Sequence, residues 1–195
     1  MVVQDILDII QEQTRDDLTT WTVEDVLGYI NEGVKNTIQR APQANSKKEM
    51  ITAAAGIEQT LPNDGVEIIN IIANANVSGK LGDIIHRVDV QEKDAYNPSW
   101  RNDRARSIAI EWMKRSSPTQ FLLWPPLSKA TQVYAEFSYY PADVTGVGDT
   151  IVIANEYNEP VRTWALYRTF GRDSQDTPSV ARSTGYRKEF EAFFQ

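Results

Sequence analysis

The sequence has no cysteine and only one histidine among its 195 residues. Without cysteine the chain has no disulfide framework, no thiol nucleophile and no zinc site built on thiolates. A single imidazole, that of His86, is too little for a histidine-based metal cluster. A serine–histidine catalytic site would need His86 as its base. The sequence also contains no Gly-x-Ser-x-Gly turn that could hold the nucleophilic serine. We therefore predict a chain that is not an enzyme and needs no cofactor or metal, with His86 on a strand facing solvent or another subunit.

Long apolar runs and excess positive charge are missing as well. No run approaches the roughly 18 consecutive apolar residues of a membrane-spanning helix, and the first residues lack the basic flank of a signal peptide. We expect a soluble protein with no membrane partner. Twenty basic side chains against 27 acidic ones give a net charge of −7, which opposes the counterion release that drives binding to nucleic acid. Residues 1–42 carry much of this excess, with eight acids and three bases.

Apolar residues at helical spacing predict helices at both ends of the chain. One is expected over residues 2–13. A second begins after Thr22, which with Asp25 three residues later forms a near capping box, and it ends at Pro42. A third contains Tyr157 and Arg168 with Pro160 in its first turn. The last is expected over residues 178–194, with Thr177 as its cap.

The middle of the sequence shows short apolar runs separated by turn residues, which predicts a β region. The expected strands cover residues 54–60, 66–73, 84–89, 107–113, 120–124 and 132–139. The last of these is the richest in β-branched and aromatic residues. The order of helices, strands and helices predicts an α+β fold, in which bundled N- and C-terminal helices enclose an inserted, mainly antiparallel β region. We expect a single domain over residues 1–195, with a helical lobe of 1–42 and 156–195 and a β lobe of 43–155.

Several groups in the sequence are candidates for a catalytic or binding site. Asp16–Asp17 and Glu24–Asp25 leave a carboxylate-based hydrolase open, because only the distance between two carboxylates in the folded chain defines such a pair. Glu24 and Asp25 also suit the first turn of a helix, where the dipole favours negative charge. Gly146 and Gly148 lack the Lys-Ser/Thr sequel of a phosphate-binding loop and are interpreted as turn residues. Residues 100–106, with three arginines beside Trp100, are the nearest approach to a nucleic-acid patch, or else form a solvated loop or a salt-bridged subunit contact.

Several segments, in order along the chain, resemble the adaptor or head-to-tail connector proteins of short-tailed phages, the group related to tail tubular protein A. The first half contributes TWTVEDVLGYINEG (residues 20–33) and QTLPNDG (59–65). The second half contributes NPSW (97–100), PTQFLLWPP (118–126), VYAEFSYYPAD (133–143) and YNEPVRTWALYRTF (157–170). Each motif is weak alone, and their order over most of the chain carries the resemblance.

The resemblance implies a structural virion protein, assembled in the host cytoplasm and located in the neck of the particle. It implies a homo-oligomeric ring of twelve copies that binds the portal protein on one side and the tail nozzle protein on the other. Genome DNA would pass through the ring without sequence-specific binding, and the joint between head and tail would be sealed. Another neck or tail-completion protein is the alternative, and a cell-wall hydrolase is a further one.

A ring subunit needs anchors on its side surfaces, and aromatic and arginine side chains are favoured there. Core packing is the competing interpretation for each aromatic residue taken singly. The candidate interface residues are Trp21, Trp100, Arg101, Arg104, Arg106, Trp124, Phe190, Phe193 and Phe194.

Overall fold

A computed structural model describes residues 1–15, 18, 21–76, 78–172 and 176–195. The helices of this part are α1 (Val3–Thr14), α2 (Val23–Arg40), α3 (Val90–Tyr96), α4 (Asn158–Gly171) and α5 (Thr177–Ala192). Its strands are β1 (Ser46–Ala53), β2 (Gly56–Thr60), β3 (Gly65–Ala75), β4 (Leu81–Ile84), β5 (His86–Arg87), β6 (Glu111–Lys114), β7 (Gln120–Leu127) and β8 (Thr131–Tyr139). The predicted α+β fold with an inserted, mainly antiparallel β region is confirmed.

The chain divides into two compact units, one of residues 1–45 and 140–195 and one of residues 46–139. The predicted β lobe extended to residue 155, whereas residues 140–155 belong to the helical unit. Hydrogen bonds tie this loop to the helices: the Asn31 side chain bonds the backbone N–H and C=O of Val144, and the Ile151 N–H donates to the Met1 carbonyl. The description of the whole chain as a single adaptor domain stays a prediction.

Helices α1 and α2 form as the apolar spacing predicts. The face of α1 that carries Val3, Ile6 and Ile10 is buried, and its C-cap Arg15 has the left-handed φ of 55°. In α2 the Asp25 N–H donates to the Thr22 hydroxyl over 3.2 Å, and the Asp25 carboxylate accepts from the Thr22 N–H, which completes the predicted capping box. Between these two helices, residues 16, 17, 19 and 20 lie outside the described part of the chain.

Helices α4 and α5 pack against each other and complete the helical unit. Pro160 lies in the first turn of α4, where no backbone donor is needed. The prediction that Thr177 caps the last helix is wrong, because Asp176 is the N-cap and its carboxylate accepts the N–H of Ser179 over 3.0 Å. Thr177 is the first helical residue. Few side chains of α5 are buried, Ser183 and Phe190 among those described.

The second unit is a β-sandwich. One sheet has the strand order β1-β8-β3-β4 and is antiparallel throughout, and the other has the order β2-β7-β6-β5. The β5–β6 pair is parallel. Apolar side chains from both sheets, such as Ile71, Val133 and Phe137 from the first and Trp112 and Phe121 from the second, form one core.

Two elements were not predicted. Strand β1 was missed because Lys47, Lys48 and Glu49 make it polar, yet it pairs with β8 over its whole length, from Ser46 opposite Ser138 to Ala53 opposite Thr131. Helix α3 was missed because it is a single short, polar segment capped by Asp89. In both cases long-range pairing or packing outweighs local propensity.

The other strand boundaries differ by a few residues. The predicted strand 54–60 begins at Gly56, 107–113 begins at Glu111, and 84–89 divides between β4 and β5, which belong to different sheets. Strand β7 continues past Pro125 and Pro126 to Leu127. Its pairing with β2 shifts between Gly56 and Glu58, so the two prolines lie where the ladder is irregular and their missing N–H groups cost little.

Candidate subunit interface

Trp100 and Trp124, two of the candidate anchors, lie on the outer side of the second sheet under α3. Trp100 is fully buried and packs with Met113 and Leu122, and Trp124 is half-buried beside them. Trp124 stands opposite Glu111 in the β6–β7 ladder. The structure therefore uses Trp100 for packing within the unit, where a partner cannot reach it.

Lys93 fixes α3 to this sheet. Its side chain is 1% exposed, its Nζ lies 2.6 Å from the Glu111 carboxylate, and the same atom lies 3.3 Å from the centre of the Trp124 ring. Burial lowers the pKa of Lys93, but hydrogen bonds with Glu111 and Tyr96 raise it by more in total, so that the pKa lies above its usual value. The ammonium group is therefore charged, and it is held by a carboxylate and an aromatic face together.

Two aspartates hold the indole groups. Asp94 of α3 accepts the Trp100 Nε1–H over 2.7 Å, and Asp103 accepts the Trp124 Nε1–H over 2.9 Å. Asp94 also forms an ion pair with Arg101. The Arg101 guanidinium, and after it the Trp100 indole, keep the pKa of Asp94 below its usual value. Arg101 thus satisfies its charge within the chain, and a salt-bridged contact of this segment with another subunit stays a prediction.

Arg104 and Arg106 are different, because both side chains are exposed and neither forms an ion pair with another described residue. Arg106 is held through its backbone, whose N–H donates to the Pro126 carbonyl and whose carbonyl accepts the Ser128 N–H. The backbone at Arg106 is therefore fixed, while the guanidinium groups of both arginines remain exposed. Unpaired arginines on a fixed backbone are well suited to a partner's carboxylates or phosphates.

A groove of about 360 Å³ lies beside Trp100. Apolar side chains of Ile57, Val90 and Leu122 form part of its wall. Arg101 and Arg115 line it as well, but each is engaged in an ion pair, with Asp94 and Glu58. The groove offers apolar contact to a partner, whereas its charges are already compensated.

The C-terminal aromatic residues form a chain of edge-to-face contacts in the helical unit. Phe190 is 1% exposed and packs on Trp164 with ring centres 4.9 Å apart, and Phe194 lies 5.2 Å from Phe190. Arg40 of α2 stacks over the Phe190 ring at 5.0 Å. Phe193 contacts Phe194 and Tyr157, with ring centres 5.1 and 5.9 Å apart, and is 44% exposed. Phe190 is therefore a core residue, whereas Phe193 presents an aromatic ring to solvent.

Trp21 precedes the capped start of α2, is partly buried and packs against the core of the helical unit. The nine candidates are divided between the two units. Trp21 and the three phenylalanines belong to the helical unit, and the other five candidates belong to the unit of residues 46–139. Arg104, Arg106 and Phe193 present the most accessible groups.

Among the candidate catalytic groups, Asp25 has a structural role. Asp25 caps α2 and pairs with Arg172, and these hydrogen bonds, that of Arg172 first, keep its pKa below the usual value. His86 is exposed on β5. The N–H of Gly146 donates to Asp149 over 2.9 Å and closes a turn, as interpreted from the sequence. Asp16 and Asp17 lie outside the described residues.

No grouping of acidic and histidine side chains able to hold a metal occurs in the described part of the chain. The same ranges contain no helix with the length and hydropathy to cross a membrane.

One exposed feature was missed at the sequence level. Ile84, at the end of β4, is 67% exposed, the largest fraction among the described large hydrophobic residues, and Leu81 of the same strand is 47% exposed. The apolar pattern correctly placed Ile84 in a strand, but it could not show that this strand lies at a sheet edge. Edge position depends on the pairing of distant strands.

A family model described as the SU10 adaptor protein matches residues 3–195. No curated protein matches the chain. The family match covers all the segments that resemble phage adaptors and confirms that resemblance, with the SU10 adaptor family in place of the tail tubular protein A group.

Proposed function

The chain belongs to the SU10 adaptor protein family and is a phage structural adaptor, and we propose that it works as a ring seated between the portal protein and the tail nozzle protein. The ring consists of twelve copies, seals the joint between head and tail, and surrounds the path of the genome. The observation that carries this proposal is the family match over nearly the whole chain. Exposed aromatic side chains, such as those of Phe193 and Tyr96, are compatible with contacts between subunits.

The interface of this proposal consists of exposed groups. Arg104, Arg106 and Phe193 contact neighbouring subunits or the portal, while Trp124, Trp21, Arg101 and Phe194 contribute the exposed parts of side chains that are partly buried or ion-paired. Trp100 and Phe190 act indirectly, because their rings are inside the units and shape the surface above them. Desolvated aromatic and arginine side chains supply most of the binding energy at protein interfaces.

The genome path is proposed to be acidic. The net charge of −7 includes the concentration of acids in residues 1–42, and a wall of this sign repels phosphate so that DNA slides without being held. The free chain should accordingly bind duplex DNA weakly at physiological salt. Tight, salt-dependent binding would contradict this part of the proposal.

The test of the ring is assembly on the portal. Purified chain is mixed with the purified portal protein of the same phage, and the particles are imaged by electron microscopy. We expect an additional ring on the tail-facing side of the portal. Absence of a complex at every mixing ratio would refute the proposal, whereas a monomer in the absence of portal would not, since such subunits can require their template.

A matched pair of variants tests the interface. Phe193→Ala should weaken portal binding at least tenfold if the phenyl group of Phe193 fills a pocket in the partner. Val180→Ala is the control, because Val180 is on α5 and has nearly the same exposure, 42% against 44% for Phe193. Equal portal binding by both variants would show that Phe193 is not part of the interface.

The alternatives predict different results. Another neck or tail-completion protein would bind a tail component but not the portal. A cell-wall hydrolase would release glycan fragments, and replacing candidate carboxylates such as Glu24 would abolish the release without unfolding the chain. Asp25 is a poor candidate for that role, because its carboxylate already caps α2 and pairs with Arg172.

A further inference from the structure

The sheet that contains β1 has two open edges. Its order is β1-β8-β3-β4, and within the described residues β1 pairs with β8 alone and β4 with β3 alone. All four residues of β4 are exposed. An open strand edge with exposed apolar side chains is a ready site for pairing with another strand, and natural proteins normally protect such edges with charge or cover.

The strand directions allow this sheet to continue from one copy into the next. Each of its three strand pairs is antiparallel, so the four strands alternate in direction and β1 and β4 run in opposite senses. When copies are related by rotation about a ring axis along the strands, β1 of one copy stands beside β4 of its neighbour in an antiparallel arrangement. The alternation is then unbroken across the boundary. Such a head-to-tail contact is heterologous, which is the kind of contact that closes rings.

One cross-strand row indicates the pairing at this boundary. Met50 stands opposite Tyr134, Tyr134 opposite Ala73, and Ala73 opposite Ile84. The row crosses all four strands on the face turned away from the core, and Ile84 ends it at the exposed edge. Met50 ends it at the other edge. Placing Met50 of one copy beside Ile84 of the next gives both side chains an apolar cross-strand neighbour.

We infer that neighbouring copies in the ring join through β1 and β4, forming one continuous antiparallel sheet in which Met50 of one copy lies beside Ile84 of the next. This inference rests on the proposed ring and specifies how its subunits bind one another. The occupant of the β4 edge is therefore a second copy of this chain.

A disulfide cross-link tests the contact. Because the chain has no cysteine, the double variant Met50→Cys/Ile84→Cys has only the two introduced thiols. Within one copy these positions are three strand spacings apart, about 14 Å, which is too far for a disulfide. Any bond between them must therefore join two copies. Assembly on the portal, mild oxidation and non-reducing electrophoresis should give a ladder of covalent multimers.

The matched control is Met50→Cys/Tyr96→Cys, since Tyr96 is 57% exposed on α3, which packs on the other sheet. Its multimers should be at least tenfold fewer.

The outcomes separate the two proposals. Rings on the portal with a ladder specific to the Met50–Ile84 pair support the inference. Rings without that ladder, while circular dichroism shows a folded variant, overturn the inference and leave the proposed function intact. Failure of the wild-type chain to form a ring overturns both.

Discussion

At the scale of single residues, Lys93 shows how a charge can be buried in a small sandwich. The ammonium group lies between the Glu111 carboxylate at 2.6 Å and the Trp124 ring at 3.3 Å. Removing one partner of a buried pair leaves the other charge without compensation, which costs far more than the pair itself contributes. Lys93 thus joins α3 to β6 and β7 beneath the candidate anchors.

Lys93→Ala should lower the free energy of unfolding by about 3 kcal/mol, measured by urea denaturation. Replacing both partners, as in Lys93→Met/Glu111→Met, should cost less than the single change, because no buried charge remains. Lys80→Ala, at an exposed position, should stay within about 0.5 kcal/mol of wild type. A Lys93→Ala protein as stable as the Lys80→Ala control would contradict the role assigned to this pair.

We expect the contribution of Asp94 to the stability of the fold to depend on pH. Its pKa in the folded chain is below the usual 3.8, chiefly because of Arg101. A carboxyl with a depressed folded pKa stabilises the fold above its unfolded pKa, and that stabilisation is lost as the pH falls through 3.8 toward the folded value. Asp94→Asn should therefore destabilise the chain at neutral pH, and its difference from wild type should shrink between about pH 5 and about pH 3.

Urea denaturation at each pH measures this effect. Glu92→Gln, an exposed carboxylate on the same helix, is the control. A difference between wild type and Asp94→Asn that stays constant over the acid range would contradict the electrostatic account.

At the scale of elements, the start of α2 is set by local chemistry. The Thr22 hydroxyl accepts the Asp25 N–H over 3.2 Å, and the Asp25 carboxylate accepts the Thr22 N–H. Thr22→Ala should lower the free energy of unfolding by about 1 kcal/mol, and Thr22→Ser, which keeps the hydroxyl, by a few tenths at most. Equal losses in both variants, measured in urea, would show that the hydroxyl is not the stabilising group.

The sequence could predict the elements that depend on local contacts, but not those that depend on distant segments. The helices α1, α2 and α4 follow from apolar spacing, and the cap at Thr22 from two residues three positions apart. Strand β1 could not be found in this way, because Lys47, Lys48 and Glu49 lie in a strand whose stability comes from β8, about ninety residues later. For the same reason, the burial of Trp100 and the exposure of Ile84 depend on contacts between distant segments.

At the scale of the whole molecule, the β-sandwich is an insertion into the helical unit. Ser46 and Ser138 stand opposite each other in the β1–β8 ladder, so the two ends of the sandwich lie side by side. Adjacent ends allow an inserted unit to be removed without stretching the chain. The sandwich also contains its own core.

A fragment of residues 46–139 should therefore fold alone. We expect a β-type circular dichroism spectrum and one cooperative urea transition. The remaining segments, with Asn45 joined to Tyr140 by a short glycine–serine linker, should keep a helical spectrum. A fragment without a cooperative transition would show that the sandwich depends on the helical unit.

The central claim is that this adaptor occupies the neck of the virion as a ring between portal and nozzle. It is tested most directly by electron cryomicroscopy of the neck in intact particles of the phage that encodes it. We expect a ring of density directly below the portal, into which the helical unit and the β-sandwich fit as repeated copies. A neck whose density is fully explained by other proteins, with no copy of this chain against the portal, would contradict it.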